Sequence, residues 1–456
     1  MLKLKQITLA MLLALPYAGA LAADAVDPAE FDQLSVKVDA IQDSMDTAGL
    51  TGLRISAGID PVYMYNKNKG TKSFAFLNNF APISGSSDFY SYDNSYFGVA
   101  YLDIQKQMDD GTKMRITLMP SKSSASGYTL GNIVHEASAS IPLGEQATRL
   151  IVGQMPDVSG YQPYVNTFAG ANAVYDNQLY YGFPEFFITK NLQFDFTAAT
   201  FYTGAGLDLT RGSWETKLIL ANFNSARNDC STGMMCAQTA PNSPTLIYNA
   251  TYADAEYWGY EFTGYEGKVS NWNTGGASRL DQFEIDAWWT RADFNANIQY
   301  TIGRQKDAAM NWDAAGNPQD AGWWGISTLV SQNITRRFTL AGRLDYLNNQ
   351  KNGGGTFNVY DSNTYGTNAA LTATGVVGDG INGFGAGDPG AAGYDANKGA
   401  NRTSISVAGT YRLSQYVALR GEIRHDIATT AAFYNFNDGT FVKTNDTVGL
   451  QTIVNF

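Results

Sequence analysis

The chain has 456 residues and a formal net charge of −11, from 31 Lys and Arg against 42 Asp and Glu, with two His and two Cys. An acidic protein has no electrostatic reason to bind nucleic acid, so that class is excluded. Only 16% of residues are charged, while 27 Tyr, 24 Phe, 8 Trp and 46 Gly are what a large, tightly turned, aromatic-girdled sheet requires.

At the N-terminus Lys3 and Lys5 precede a short apolar run, Ile7 to Leu15, and Ala20-Leu21-Ala22 reads as a cleavage site. Residues 1–22 are therefore expected to be a signal peptide, too short to anchor in a bilayer, with the mature chain starting at Ala23. Its removal leaves 434 residues and takes the charge to −13. Beyond Ala22 no stretch of 18 or more apolar residues occurs, which excludes helical spans but not a barrel.

Within a segment spanning 23–50, Phe31, Leu34, Val38, Ile41 and Met45 are spaced 3, 4, 3, 4, with Asp27-Pro28 as cap and first helical residue. This predicts a short periplasmic helix over 28–47. It is either a coiled coil joining subunits or a helix packed on the barrel floor.

From Leu53 to the last residue the period is two. Tight turns at Asp109–Gly111, Leu143–Glu145, Arg211–Ser213, Arg291–Asp293, Asn333–Arg336 and Ser414–Gln415 alternate with long connections near 66–92, 158–195, 306–321, 349–401 and 428–443. Short turns on one rim and long loops on the other are the asymmetry of outer-membrane barrels. The expected fold is all-β: a transmembrane antiparallel β-barrel over 51–456 with about 16 strands (range about 14–18). The count falls to about 14 if 244–267 is loop.

In the last strands Ile405, Val407, Tyr411 and Leu413 share one face, and Val417, Leu419 and Ile423 another. The opposite faces carry Arg402, Arg412, Arg420, Glu422, Arg424 and Asp426. A charge facing hydrocarbon costs about 2–4 kcal/mol near the midplane, so the charged faces are expected to line a wet lumen. With Arg343, Asp345, Arg115 and Arg149 they form candidate pore-lining residues. Loop 158–195, with Asp176 and Glu185, is a candidate constriction. Opposed charges across a narrow pore sort solutes, and the arginines predict an anion preference. These pairs equally could do no more than neutralise one another and hold the wall together.

Cys230 and Cys236 lie six apart and are expected to close one small loop as a disulfide in an oxidising compartment. No metal site is expected, since His135 and His425 are isolated and the two Cys are paired. No cofactor is implied either. The Gly-rich tract 351–401 lacks a sustained nonapeptide repeat, and Asp313 to Asp320 lacks the glycine and terminal Glu of a calcium loop. His425 beside Asp426 could serve an outer-membrane lipase, but no serine elbow accompanies it, and the chain is not expected to be an enzyme.

The final strand, Val448 to Phe456, alternates and ends on an aromatic. It resembles the C-terminal signal read by the barrel assembly machinery, with Phe456 as its last residue. Tyr411 to Asp426 is similar to the closing hairpin of the β-barrel porin-2 group. Gly153-Gln154-Met155-Pro156 resembles a strand end found before the third loop of many porins, and Leu53–Phe80 resembles proteobacterial barrel proteins of unknown function. The resemblance covers most of the mature chain in pattern and little of it in exact motif. It implies passive diffusion of small hydrophilic solutes through a barrel in the outer-membrane lipid. Phe183-Pro184-Glu185-Phe186-Phe187 matches the acidic third-loop motif of classical trimeric porins poorly, so neither a trimer nor a folded-in loop follows from it. A loop-filled structural or adhesive barrel is the alternative.

Overall fold

The computed structural model describes residues 49–456, apart from 69, 76–97, 120, 124–126, 130–132, 161–184, 200, 224–243, 255–256, 272–273, 275 and 357–381. The expected signal peptide, the 28–47 helix, Asp176, Cys230 and Cys236 lie outside the described residues.

β1 (Leu53–Ile59) and β2 (Val62–Asn66) are halves of one strand, broken at Asp60-Pro61, and β3 (Thr71–Ala75) turns back on β2. There follow β4 (Ala100–Gln107), β5 (Lys113–Leu118), the small hairpin β6 (Ser121–Ser123) and β7 (Gly127–Thr129), β8 (Val134–Leu143) and β9 (Glu145–Pro156). After one helical turn, α1 (Leu192–Phe196), come β10 (Phe201–Arg211), β11 (Trp214–Phe223), β12 (Thr245–Asp254), β13 (Trp258–Asn271), β14 (Gly276–Arg291) and β15 (Phe294–Gln305). The last are β16 (Ala321–Asn333), β17 (Phe338–Asn348), β18 (Arg402–Arg412), β19 (Val417–Ala428), the short pair β20 (Phe433–Asn435) and β21 (Thr440–Val442), and β22 (Thr444–Asn455).

β4, β5, β8 to β19 and β22 pair antiparallel in sequence order, and β22 closes the ring on β1 and β2. The sheet has 18 segments; counting β1 with β2 once, and likewise β3 with β4, which flank them, the barrel has 16 strands. The expected count holds, and 244–267 is strand rather than loop. Asp60, buried at the break, accepts from the backbone N–H of Val99 and from Gln451 Nε2 (2.8 Å), so the kink itself helps close the seam.

Short turns do gather on one rim. Gly144 alone connects β8 to β9, with φ +82° that a side chain rarely adopts. One hairpin differs from expectation. β13 and β14 run 14 and 16 residues, beyond the stretches 256–267 and 281–291 that two-residue alternation marks as strands in the sequence. Their extra length carries outward charges, Lys268 opposite Arg279 and Asp281 bonded to Arg279 (2.8 Å) and Arg304 (2.9 Å). Charges on the outward parity break the apolar alternation, and so they read as loop.

The side chains sort by alternation. Ile405, Val407, Leu419, Ile423 and Leu450 are exposed on the outside (Ile423 64%, Leu450 60%), while Ser404, Ser406, Arg420, Glu422 and Arg424 are buried inside. An outer face this apolar is stable only against hydrocarbon. Aromatics rim it. Trp214, Tyr252, Trp258 and Tyr260 cluster near the short turns, with Trp214 and Tyr252 5.2 Å apart, and Trp324 packs on Tyr346 near the loops. In the Trp288-Trp289 and Trp323-Trp324 pairs only the second residue is exposed. Adjacent residues in a strand point to opposite faces.

Candidate functional site

The interior is shaped by the chain that leaves β9. Gly153 adopts φ +125°, and a Cβ there would lie 2.2 Å from the Ala137 carbonyl. Gln154 Nε2 donates to the carbonyls of Val134 (2.6 Å) and His135 (2.9 Å) on β8, and Pro156 ends the strand. Asp157 then takes the Tyr265 hydroxyl (2.6 Å) and the Ser159 hydroxyl (2.7 Å). The Gly-Gln-Met-Pro run is thus a bend that turns the loop away from the wall line and ties it to β8 and β13.

Residues 185–199 are buried throughout and lie against the inner wall. Asn191 caps α1 by accepting from the Phe194 N–H (2.7 Å), and its amide donates to Gln299 of β15 (2.8 Å). Gln282 of β14 donates to Thr197 O (2.8 Å). The firmest hold comes from β17 and β19. Glu422 accepts from the N–H groups of Ile188 (2.5 Å) and Thr189 (2.8 Å) and from the Thr189 hydroxyl (2.5 Å). Arg420 donates to the carbonyls of Phe187 (3.1 Å) and Glu185. Arg424 reaches Lys190 O (2.9 Å), and Arg343 reaches Thr189 O (2.8 Å) and Lys190 O (3.0 Å) while lying 4.5 Å over the Phe187 ring. An irregular buried backbone must satisfy its N–H and C=O groups somewhere. Here the barrel wall supplies a carboxylate and three guanidinium forks for five of the six residues 185–190.

The predicted charges therefore do converge on one side, but with a different use. Arg343 pairs with Asp345 (3.1 Å), and Asp426 takes both Arg424 (3.1 Å) and Arg402 (2.9 Å). Arg402 lies among the rings of Phe196, Phe384 and Phe433 at 5.3–5.6 Å. Glu185 is in the folded-in segment, paired with Lys190 at 2.6 Å. Arg115 joins Asp103 (2.7 Å) and Glu136 (3.4 Å) on the early strands. Arg149 is tied to Ser140, Gln146 and Gly111 O near the short-turn rim. Arg412, on the same parity, is exposed at the end of β18 and does not join the cluster. Phe456 pairs through its backbone with Ala57 (3.0 and 3.1 Å), its side chain 72% exposed.

Two features of the interior had no sequence expectation. An apolar cluster joins Ile188, Leu192 and Phe196 of the inserted segment to Met155, Tyr202, Ile219, Tyr265, Leu280 and Trp323 of the wall. Part of the interior is therefore apolar, and these inward positions share the parity of the polar ones, so alternation cannot tell them apart. The second is a carboxylate-rich wall on β10 to β14, where Glu261 and Asp286 are register partners and Glu284 faces Thr263. His425 sits on the outer face, half-exposed, with Nδ1 2.5 Å from Asp446, which also pairs with Lys67 (2.9 Å). Among the described residues no serine hydroxyl is bonded to it.

Residues 20–456 match the family described as "Protein of unknown function (DUF3138)". The chain belongs to that family. No curated protein matches it in sequence. Among solved structures it is similar to the outer membrane channel DcaP of Acinetobacter baumannii, at 10% identity and TM-score 0.51, covering 89% of this chain and 97% of that one. It also matches an anion-selective porin from Comamonas acidovorans (10% identity, TM-score 0.49, 89% and 99% covered). Another match is OmpTdeltaL8, a loop-deletion mutant of an outer membrane protein of Vibrio cholerae (8% identity, TM-score 0.49, 89% and 99% covered). At such identities the likeness is one of fold, that of bacterial outer-membrane barrels.

Proposed function

We propose that this DUF3138 member is an outer-membrane channel passing small hydrophilic solutes down their gradients. In this reading, residues 1–22 are removed as a signal peptide and the barrel assembly machinery inserts the mature chain. The insertion of residues 185–199 carries the proposal. A 16-strand barrel without an inner loop is wide, and a segment bound to β14–β19 by named side chains narrows it. Solute sorting in such a passage is by width and field and needs no cofactor and no bond-making step. The closing-hairpin resemblance of 411–426 to the β-barrel porin-2 group supports the same reading.

A filled structural barrel is the second reading, and the apolar cluster around Leu192, Phe196 and Trp323 favours it. Planar bilayers separate the two. Purified full-length protein forming discrete conductance steps supports the channel. A properly inserted protein that never steps refutes it.

A further inference from the structure

The inner wall is divided by charge. Among the described residues of β4 to β14, seven buried carboxylates stand against three inward cations, Arg115, Arg149 and Lys217. On β17 to β19 four buried arginines face three buried carboxylates, and those arginines spend their N–H donors on loop carbonyls and on Asp345 and Asp426. The arginines therefore hold the segment; Arg343, Arg402 and Arg424 are offset by Asp345 and Asp426, while Arg420 ends on Thr410, Gln451 and the loop carbonyls of Phe187 and Glu185.

The acidic side is different. Thr251 and Thr263 hydroxyls each reach Glu261 at 3.0 Å, Thr301 reaches Glu284 at 2.8 Å, and the Asn297 amide reaches Asp286 at 2.9 Å. All these partners are neutral. Among the described residues no Lys, Arg or His lies within ion-pair distance of Glu261, Glu284 or Asp286, which are close enough to repel one another. Among the described residues Asn297 Oδ1 has no hydrogen-bond partner although its residue is only 4% exposed, and Glu284 Oε1, in a residue 2% exposed, has only the Gln299 amide near it. Buried acceptors without a donor are costly, and Lys217 on β11 is near enough to act on Glu261 without forming an ion pair with it. No three carboxylates here converge on one metal-sized point among the described residues. Glu261, Glu284 and Asp286 are thus an extended run of carboxyl groups rather than a chelate.

We infer that the channel prefers cations, both inorganic cations and protonated amines, and that Glu261, Glu284 and Asp286 set the preference by raising the local cation concentration along β13–β15. This rests on the channel reading and reverses the anion preference expected from the arginines. The test is the reversal potential of the full-length protein across a KCl gradient. Wild-type channels are expected to pass K⁺ over Cl⁻, and the triple amide variant Glu261→Gln, Glu284→Gln, Asp286→Asn should lower that ratio by about twofold or more. The amides keep shape and remove repulsion. If the triple variant fails to show the heat-modifiable mobility of a folded barrel, Glu284→Gln alone carries the same expectation. Anion preference in the wild type, or an unchanged ratio in the folded variant, overturns the inference while leaving the channel standing. Absence of any steps sinks the channel reading and this inference with it.

Discussion

Replacing Glu422 with alanine removes in one change the acceptor for the N–H groups of Ile188 and Thr189 and for the Thr189 hydroxyl. Two amide hydrogens are then left without partners in a buried place, each costing about 1–3 kcal/mol. The docked state of 185–199 should lose about 2–6 kcal/mol, so its undocked fraction rises between roughly thirtyfold and about 10⁴-fold. The ladder between β18, β19 and β22 does not involve this side chain, so the barrel itself should stay closed. In bilayers the variant should conduct more, or flicker between two levels. In folded detergent-solubilised protein the 185–199 region should become sensitive to protease while the heat-modifiable mobility is kept. Glu422→Gln, which keeps one acceptor oxygen, should fall between. Because Arg343 also bonds Thr189, adding Arg343→Ala to Glu422→Ala should cost less than the two single effects combined. Unaltered conductance together with unaltered protease resistance in a folded Glu422→Ala protein would refute the clamp.

Four further outcomes are expected. Gly153→Ala pushes a Cβ onto the Ala137 carbonyl at a φ of +125°, costing about 1–3 kcal/mol or more, and should lower the temperature at which the barrel loses its folded mobility; an unshifted temperature counts against the bend. Arg402→Ala leaves the buried Asp426 with Arg424 alone and opens space among three phenylalanine rings, and should destabilise the barrel by about 3–5 kcal/mol in urea titration. Ile423→Arg, 64% exposed on the outer face of the closing hairpin, should reduce membrane insertion at a cost of about 2–4 kcal/mol; equal assembly yield would count against a lipid-facing Ile423. In the 306–320 loop, the Asn317 backbone N–H (2.8 Å) and its amide (2.9 Å) hold the Asp313 carboxyl below its ordinary value. With the folded-state value depressed, this support is fully present above the ordinary carboxylate range and is lost as pH falls through the lowered one. Amide exchange at Asn317 should therefore quicken only in that acid range, and Asp313→Ala should remove the dependence.

Strand count and facing were legible because both rest on local periodicity. Ile405 and Val407 face out and Ser404 and Ser406 face in for the same reason in sequence as in space: successive residues of a strand point oppositely. Arg420, Glu422 and Arg424 were readable as inward, since the parity of Val417 and Ile423 assigns the other face. What they bind was not readable. Their partners, Glu185 to Lys190, are more than 230 positions away in the chain, and the Phe183–Phe187 stretch lacks the familiar third-loop motif. The Gly153-Gln154 bend was the available signal, as it marks where the loop turns inward.

The same contacts change what an arginine on an inward face means. A guanidinium in an open pore is a selectivity element; one whose donors end on backbone carbonyls is part of the scaffold, its charge offset by a carboxylate on the same wall. Arg343 and Arg424 meet the second description, through Asp345, Asp426 and the carbonyls of Thr189 and Lys190. Replacing them should disturb the shape of the passage before its ion preference. The groups left free to act on a passing ion are those the barrel does not use to hold itself together. In the channel reading, Glu284, bonded to Thr301 and without an ion-pair partner among the described residues, is where the field of the pore should be sought.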